Sequence, residues 1–326
     1  MSYKSINGLM RHLRESGIYI SGSRQKTLLR NTGYFHGYKG YRFFKSSDYR
    51  IPFKTYEEVD ATIRYDSQIK SIIYSRMMYI ETAVKSIALE SILDATRSEK
   101  IQDMLDIAVS SYKNAPANSS PTQRKQLQQQ KLNLQKSIQT GLANAYKKGN
   151  PKITHFYDTA NSSDVPLWAL FEILTMGDFG RILQCLTYNV RDDISKRLGL
   201  NVSFDSNREL IYKYIYTLKD LRNAVAHNAV VFDTRFRNID PSRAMRECLR
   251  QEVGLPYVNF KTIGDYVILM SYYLKLLNMP KKDIRSFIRE FEKATEEYRR
   301  SVSKDVSSIV IHPDLPMRLE ILKRYI

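Results

Sequence analysis

Ile69, Ile73, Met77, Ile80, Val84 and Ile87 advance along the chain by four, four, three, four and three residues. At 3.6 residues per turn, that spacing places them on one face of a helix. A stripe of this length has to be covered by other helices, since an apolar helix face is stable only when packed. Ile263, Val267, Met270, Leu274 and Leu277 repeat the pattern. The segment "DVPLWALFEILTMGDFGRILQCL" predicts two helices: Asp164 caps the first with Pro166 in its opening turn, Gly177 ends it and Asp178 starts the second. A further helix is expected from Ile284 to Tyr298. Strand signals are confined to short pieces such as "SSIVIHP" near the C-terminus, so the expected fold class is all-α.

Lys and Arg total 51 against 34 Asp and Glu, a formal charge of +17. That excess points to a polyanionic partner, nucleic acid before membrane. The 23 Tyr and 13 Phe fit the same direction, because rings interleaved with cations can stack bases while the cations meet phosphates. Cys185 and Cys248 are the only cysteines and lie far apart, which excludes a disulfide framework and a cysteine zinc site. The polar N-terminus lacks the apolar stretch of a signal peptide. The run "YVILMSYYLKLLNM" is interrupted by Lys275 and is too short to span a bilayer. The expectation is a cytoplasmic protein with no membrane partner.

Two regions break the helical regularity. Residues 114–151 open as a Pro/Asn/Ser loop and continue as a Gln- and Lys-rich amphipathic stretch, read as a projecting insertion. Residues 30–53 alternate Gly33, Gly37 and Gly40 with aromatic and basic residues. This block is either a Gly-rich turn whose rings pack on the bundle or an RNA platform using Tyr34, Tyr38, Lys39, Tyr41 and Arg42. The expected organisation is one helical domain over residues 1–326. Within it lie a basic-aromatic segment over 1–58, the polar insertion over 112–151, and a region over 152–326 with the C-terminal helices.

The chemistry concentrates in "SNRELIYKYIYTLKDLRNAVAHN". Ser206 and Glu209 have the spacing of a capping box, and no Pro or Gly follows through His227, which predicts one long helix. Its stripe runs either through Ile211, Ile215, Leu218 and Val225, with Arg222 on the buried seam, or through Leu210, Tyr214 and Leu221, with Arg222 at the edge. Arg222, Asn223 and His227 fall within an arc of roughly 140° at about 100° per residue. The plain alternative is a helix end where His227 meets the negative dipole and Arg222 pairs with Asp220 or a neighbouring helix. His12, His36, His155 and His312 lack ligand spacing and are read as surface or locally bonded, so no metal or cofactor is assigned. Glu81 and Lys85 read as an ordinary helix-surface pair, and Trp168 as a core residue.

"LRNAVAHN" resembles the Arg-x4-6-His motif of the HEPN superfamily, in which a polar residue, often Asn, follows the Arg. It is preceded in order by "RNTGYFHGYKGYRFF", "SRMMYIETAVKSI" and "PLWALFEILTMGDFGRILQCL", which together resemble the Abi-like proteins of bacterial abortive infection, the AbiD/AbiF group. The chain departs from that pattern at Tyr34–Tyr38, where a Tyr-Tyr-Arg-Leu-Ser-Gly-Tyr type sequence is usual. The resemblance implies a HEPN-type helical bundle with additional N-terminal and inserted segments. It further implies a metal-independent endoribonuclease acting in phage defence, with His227 as acid/base, Arg222 as phosphate clamp and Asn223 as orienting residue. RNA carries its own nucleophile, the 2′-hydroxyl, so such cleavage needs proton transfer and positive charge. The same resemblance implies a homodimer with a composite site, restrained by an antitoxin or a structured RNA. The alternative is a non-catalytic HEPN-fold module that binds RNA or protein.

Overall fold

The apolar stripe that begins at Ile69 lies on a helix of 41 residues, Tyr56–Thr96. Ile69, Ile73, Met77, Ile80 and Val84 on it are no more than 1% exposed. The computed structural model describes residues 4–158, 164–237 and 240–326. Its helices, in chain order, are α1 (Ile6–Glu15), α2 (Gly22–Thr32), α3 (Tyr56–Thr96), α4 (Ile101–Asp103), α5 (Pro121–Lys147), α6 (Pro151–Tyr157), α7 (Leu167–Ile173) and α8 (Met176–Cys185). They continue as α9 (Tyr188–Arg197), α10 (Leu210–Ala226), α11 (Arg243–Val253), α12 (Ile263–Leu276), α13 (Lys281–Ser301), α14 (Lys304–Val310) and α15 (Leu315–Tyr325). Strand-like pairing among the described residues is limited to isolated bridges, so the protein is all-α.

Two compact units are present. The first comprises Met1–Met77, Asp220–Pro241 and Leu249–Ile326. At its centre is α12, in which every residue from Ile263 to Leu274 is buried. A helix apolar on all sides belongs in a core rather than at a surface. One face of α13 packs with Ile284, Phe287, Ile288 and Phe291, and farther along it Tyr298 stacks on Tyr65 of α3 at 4.5 Å. Asp265 on α12 is wholly buried and is met by the equally buried Arg318 of α15, as an interior carboxylate requires. Burial still raises the Asp265 carboxyl above its ordinary range.

The second unit comprises Met78–Lys219 and Ser242–Cys248. Here α5 packs along α8 and touches α6 and α7. Ser120 and Gln123 form a reciprocal capping box at its start, and Leu134, Ile138 and Leu142 are its buried stripe. Each of these side chains contributes roughly 1.5–3 kcal/mol by leaving water. The stretch expected to project is therefore half anchored: its first turns are exposed and its C-terminal half is part of the packing. Burial pushes the Cys185 thiol on α8 up to about 11, which leaves it an inert packing group.

Four local expectations are corrected. Residues 307–313, read as a strand, fall mostly in α14, because Val306 and Val310 are one turn apart and both buried. The break between α7 and α8 comes at Leu174 and Thr175, not at Gly177; the Thr175 hydroxyl accepts from the Asp178 amide at 3.1 Å. Trp168 is 45% exposed, because α7 buries Leu167, Ala169, Leu170 and Phe171 and turns Trp168 outward. Glu81 and Lys85 do pair, at 2.9 Å, but both are largely buried and Lys85 also donates to the Leu174 carbonyl at 2.7 Å. Arg76 pairs with Glu290 at 2.8 Å. The helix expected over 284–298 is α13, longer by about a turn at each end.

Candidate active site

α10 starts one turn later than its sequence suggests. The Asp205 carboxylate receives the amides of Glu209 and Leu210, both at 2.8 Å, so it satisfies two of the free N–H groups at the helix start. Ser206 stands outside the helix, and Arg208 adopts a left-handed φ of 55°. The buried face combines both stripes weighed from the sequence: Leu210, Ile211, Tyr214, Ile215, Leu218 and Leu221 are at most 1% exposed. Ala224 continues that face, so Arg222 sits half-buried at its edge rather than on the seam. Asn223 and His227 are exposed.

The helix end is built as firmly as its start. Asn228 takes φ 54°, the left-handed geometry that Asn tolerates better than most residues. The amide of Ala229 then reaches the Ala224 carbonyl at 2.8 Å and that of Asn228 reaches Val225 at 3.2 Å, a Schellman closure. His227 keeps its helical bond to the Asn223 carbonyl at 3.0 Å. Arg222 Nη1 lies 3.5 Å from Asn223 Oδ1. The three motif residues thus share one end of α10, with its negative dipole pole beside His227.

Behind that end lies a polar hub in the first unit. Lys70 Nζ donates to Asn228 Oδ1 at 2.8 Å, which turns the amide so that Nδ2 faces His36 Nε2 at 3.3 Å. This arrangement joins Lys70, the Asn228 amide and the His36 ring in one hydrogen-bonded chain. Lys70 also pairs with Asp66 at 2.8 Å, both side chains being at most 9% exposed. Asp66 further accepts from the Tyr41 hydroxyl at 2.7 Å and from the amides of Val231 and Phe232 at 2.8 Å each. Those donors satisfy an otherwise costly interior charge. Burial, then the neighbouring Asp66 carboxylate, raise the Tyr41 phenol far above its ordinary range. One step on, Asp233 receives the Lys45 amide at 2.7 Å and Arg235 at 2.6 Å, while Arg235 also donates to the carbonyls of Gly40 and Phe43.

Residues 33–39 form a π-helical turn. A Cβ on Gly37 would sit 3.0 Å from the Thr32 hydroxyl, so any side chain there crowds the end of α2. Of the residues proposed as an RNA platform, Tyr34 is 8% exposed and Tyr38 and Tyr41 are 1% exposed. A ring buried to that degree has no face for a base, and Tyr41 instead stacks on Phe232 at 6.0 Å. These tyrosines fit the packing alternative. Lys39 lies over the exposed Phe35 ring at 4.8 Å and Arg42 over Phe43 at 4.4 Å, both half-buried.

Sequence reasoning set His36 aside as scattered and overlooked Asp66, Lys70 and Asn228. A signal for Asp66 was present: continuing the α3 stripe backwards from Ile69 by three and then four residues reaches Asp66 and Thr62, both wholly buried. A carboxylate at a core position demands partners. The contact of His36 with Asn228 joins residues 192 apart and has no local signature.

The fold and this helix end define an all-α protein with an Arg-Asn-x3-His cluster presented at a fastened helix terminus. A family model described as Abi-like protein matches residues 27–233, more than half of the chain, and the chain belongs to that family. No curated protein and no solved structure matches it. Among the described residues no helix is long and apolar enough to cross a membrane.

Proposed function

We propose that the protein is a metal-independent endoribonuclease of the HEPN type that acts in abortive infection, arresting growth during phage attack. The observation that carries this reading is the placement of Arg222, Asn223 and His227 together on the accessible end of α10. His227 accepts the 2′-hydroxyl proton or donates to the departing 5′-oxygen, since imidazole suits both directions near neutral pH. Arg222 offers a charged fork to the phosphate oxygens as negative charge builds on them. Asn223, beside the guanidinium, orients it or the phosphate. A second copy in a two-fold dimer would bring a second His227, giving a base and an acid to one phosphodiester. Membership of the Abi-like family supports the defensive role and the need for restraint by an antitoxin or a structured RNA.

The test is His227→Ala. Cleavage of RNA falls by about 10²- to 10⁴-fold while RNA binding persists. A chelator leaves cleavage by the unaltered protein unchanged, and an all-deoxy strand is bound and left intact. Full activity in the His227→Ala variant would remove the enzyme reading and leave a HEPN-fold binding module.

A further inference from the structure

We propose that the groove between α5, α7 and α8, together with the exposed Trp168 one turn from its wall residue Glu172, is a docking site for a single-stranded stretch of RNA; this rests on the RNA-binding part of the function above. The groove has a volume of about 890 Å³ and is lined by Lys136, Lys148 and Arg181 together with neutral donors such as Asn133 and Asn144. All three cations are exposed, and none is paired to a carboxylate among the described residues. The two acids on its wall are already engaged: Asp178 accepts from Ser137 at 2.8 Å and Thr175 at 2.6 Å, and Glu172 is paired with Lys152. With Glu172 offset by Lys152, three cations face the single carboxylate of Asp178, so the groove carries a net positive charge that suits a track for phosphates.

Trp168 on α7 stands one helical turn from Glu172 of the groove wall, and further rings of this unit are left in water. Tyr146 at the end of α5, Tyr157 on α6 and Trp168 on α7 are 45%, 49% and 45% exposed. Tyr146 meets Tyr157 edge to face at 5.5 Å, and Phe156 meets Trp168 likewise at 5.7 Å. Tyr146, Tyr157 and Trp168 each keep nearly half of their surface in water. Exposed rings beside a cationic track are the two parts that sequence-tolerant binding of a single strand requires, and a duplex keeps its base faces out of reach. Lys147 adds a further exposed charge next to Tyr146.

Trp168 is the only tryptophan in the chain, so its fluorescence reports on this position alone. The full-length His227→Ala protein is titrated with a fluorescently labelled oligouridine, following Trp168 emission and oligonucleotide anisotropy together. Expected results are quenching of Trp168 that tracks binding, and Kd weakened about 5- to 150-fold by Trp168→Leu but largely preserved by Trp168→Phe. Lys136→Glu, Lys148→Glu and Arg181→Glu each lower the salt dependence of log Kd by about 0.7, with circular dichroism verifying the fold. A blunt RNA duplex produces no quenching. Saturation without any change in Trp168 emission, charge reversals that bind as tightly as the parent, or equal competition by the duplex would each overturn the site. If unaltered protein cuts RNA without quenching, this site fails and the catalytic reading stands. If quenching occurs and no cleavage is ever seen, the reverse holds.

Discussion

Replacing Asp66 by Ala strands more groups than any other single change at the candidate site. The carboxylate holds the Lys70 ammonium, the Tyr41 hydroxyl and the amides of Val231 and Phe232. Its loss leaves Lys70, at 9% side-chain exposure, with the Asn228 carbonyl oxygen as its remaining recorded partner and three neutral donors without an acceptor. Breaking a buried pair costs roughly 3–5 kcal/mol, and a stranded neutral donor about 1–3 kcal/mol more before the surroundings relax. Once the three neutral donors relax toward water the broken pair dominates, and a loss of about 5 kcal/mol is expected, which lowers Tm by about 10–20 °C for a body of this size. Asp66→Asn keeps one acceptor oxygen and loses about half as much. The decisive measurement is calorimetric Tm for Asp66→Ala, Lys70→Met and the double variant. Removing the ammonium as well should restore part of the stability, with a coupling energy of about 1 kcal/mol or more. A loss below about 1 kcal/mol in Asp66→Ala, or a double variant less stable than either single one, would show that Asp66 does not hold these groups together.

Glu58 makes stability depend on acid. Burial alone would raise its pKa, but the amides of Lys54, Thr55 and Ser303 hold the carboxylate and the net shift is downward. A carboxyl depressed in the folded state contributes stability above its unfolded pKa of about 4.3, and that contribution is lost as pH falls through the folded value. Thermal denaturation from pH 7 down to pH 3 should show a steep acid limb that flattens in Glu58→Gln. At the helix end, Asn228→Ala leaves at a left-handed φ a residue without the short polar side chain that lets Asn tolerate it, and should lose about 1–2 kcal/mol, whereas Asn228→Gly keeps the backbone and releases only Lys70 and His36. Thermal denaturation separates the two variants. A cleavage rate lowered in the stable Gly variant assigns the amide a role at the site.

The helices were legible because their stripes are long: α3, α12 and α13 each repeat apolar residues over several turns, a pattern that few alternatives satisfy. Boundaries were less legible where two local signals compete. Ser206 and Asp205 both offer oxygens to the start of α10, and the second wins because its carboxylate reaches two amides at once. The β-branched run in α14 suggested a strand, but propensity differs by less than about 1 kcal/mol per residue, and burying Val306 and Val310 outweighs it. Arg222, Asn223 and His227 were placed on one helix end by spacing alone. Their supporting residues were not, because His36, Asp66 and Asn228 meet only through tertiary packing.

The ties between residues 40–45 and 231–235 reach beyond stability. Gly40 and Phe43 lend carbonyls to Arg235, Tyr41 and the 231–232 amides share Asp66, and Lys45 leans on Asp233. Two stretches nearly two hundred residues apart are thus one inherited object: a change at either has to be answered at the other. In diverging lineages they should drift as a pair, while the surface of α5 is free to follow whatever it touches.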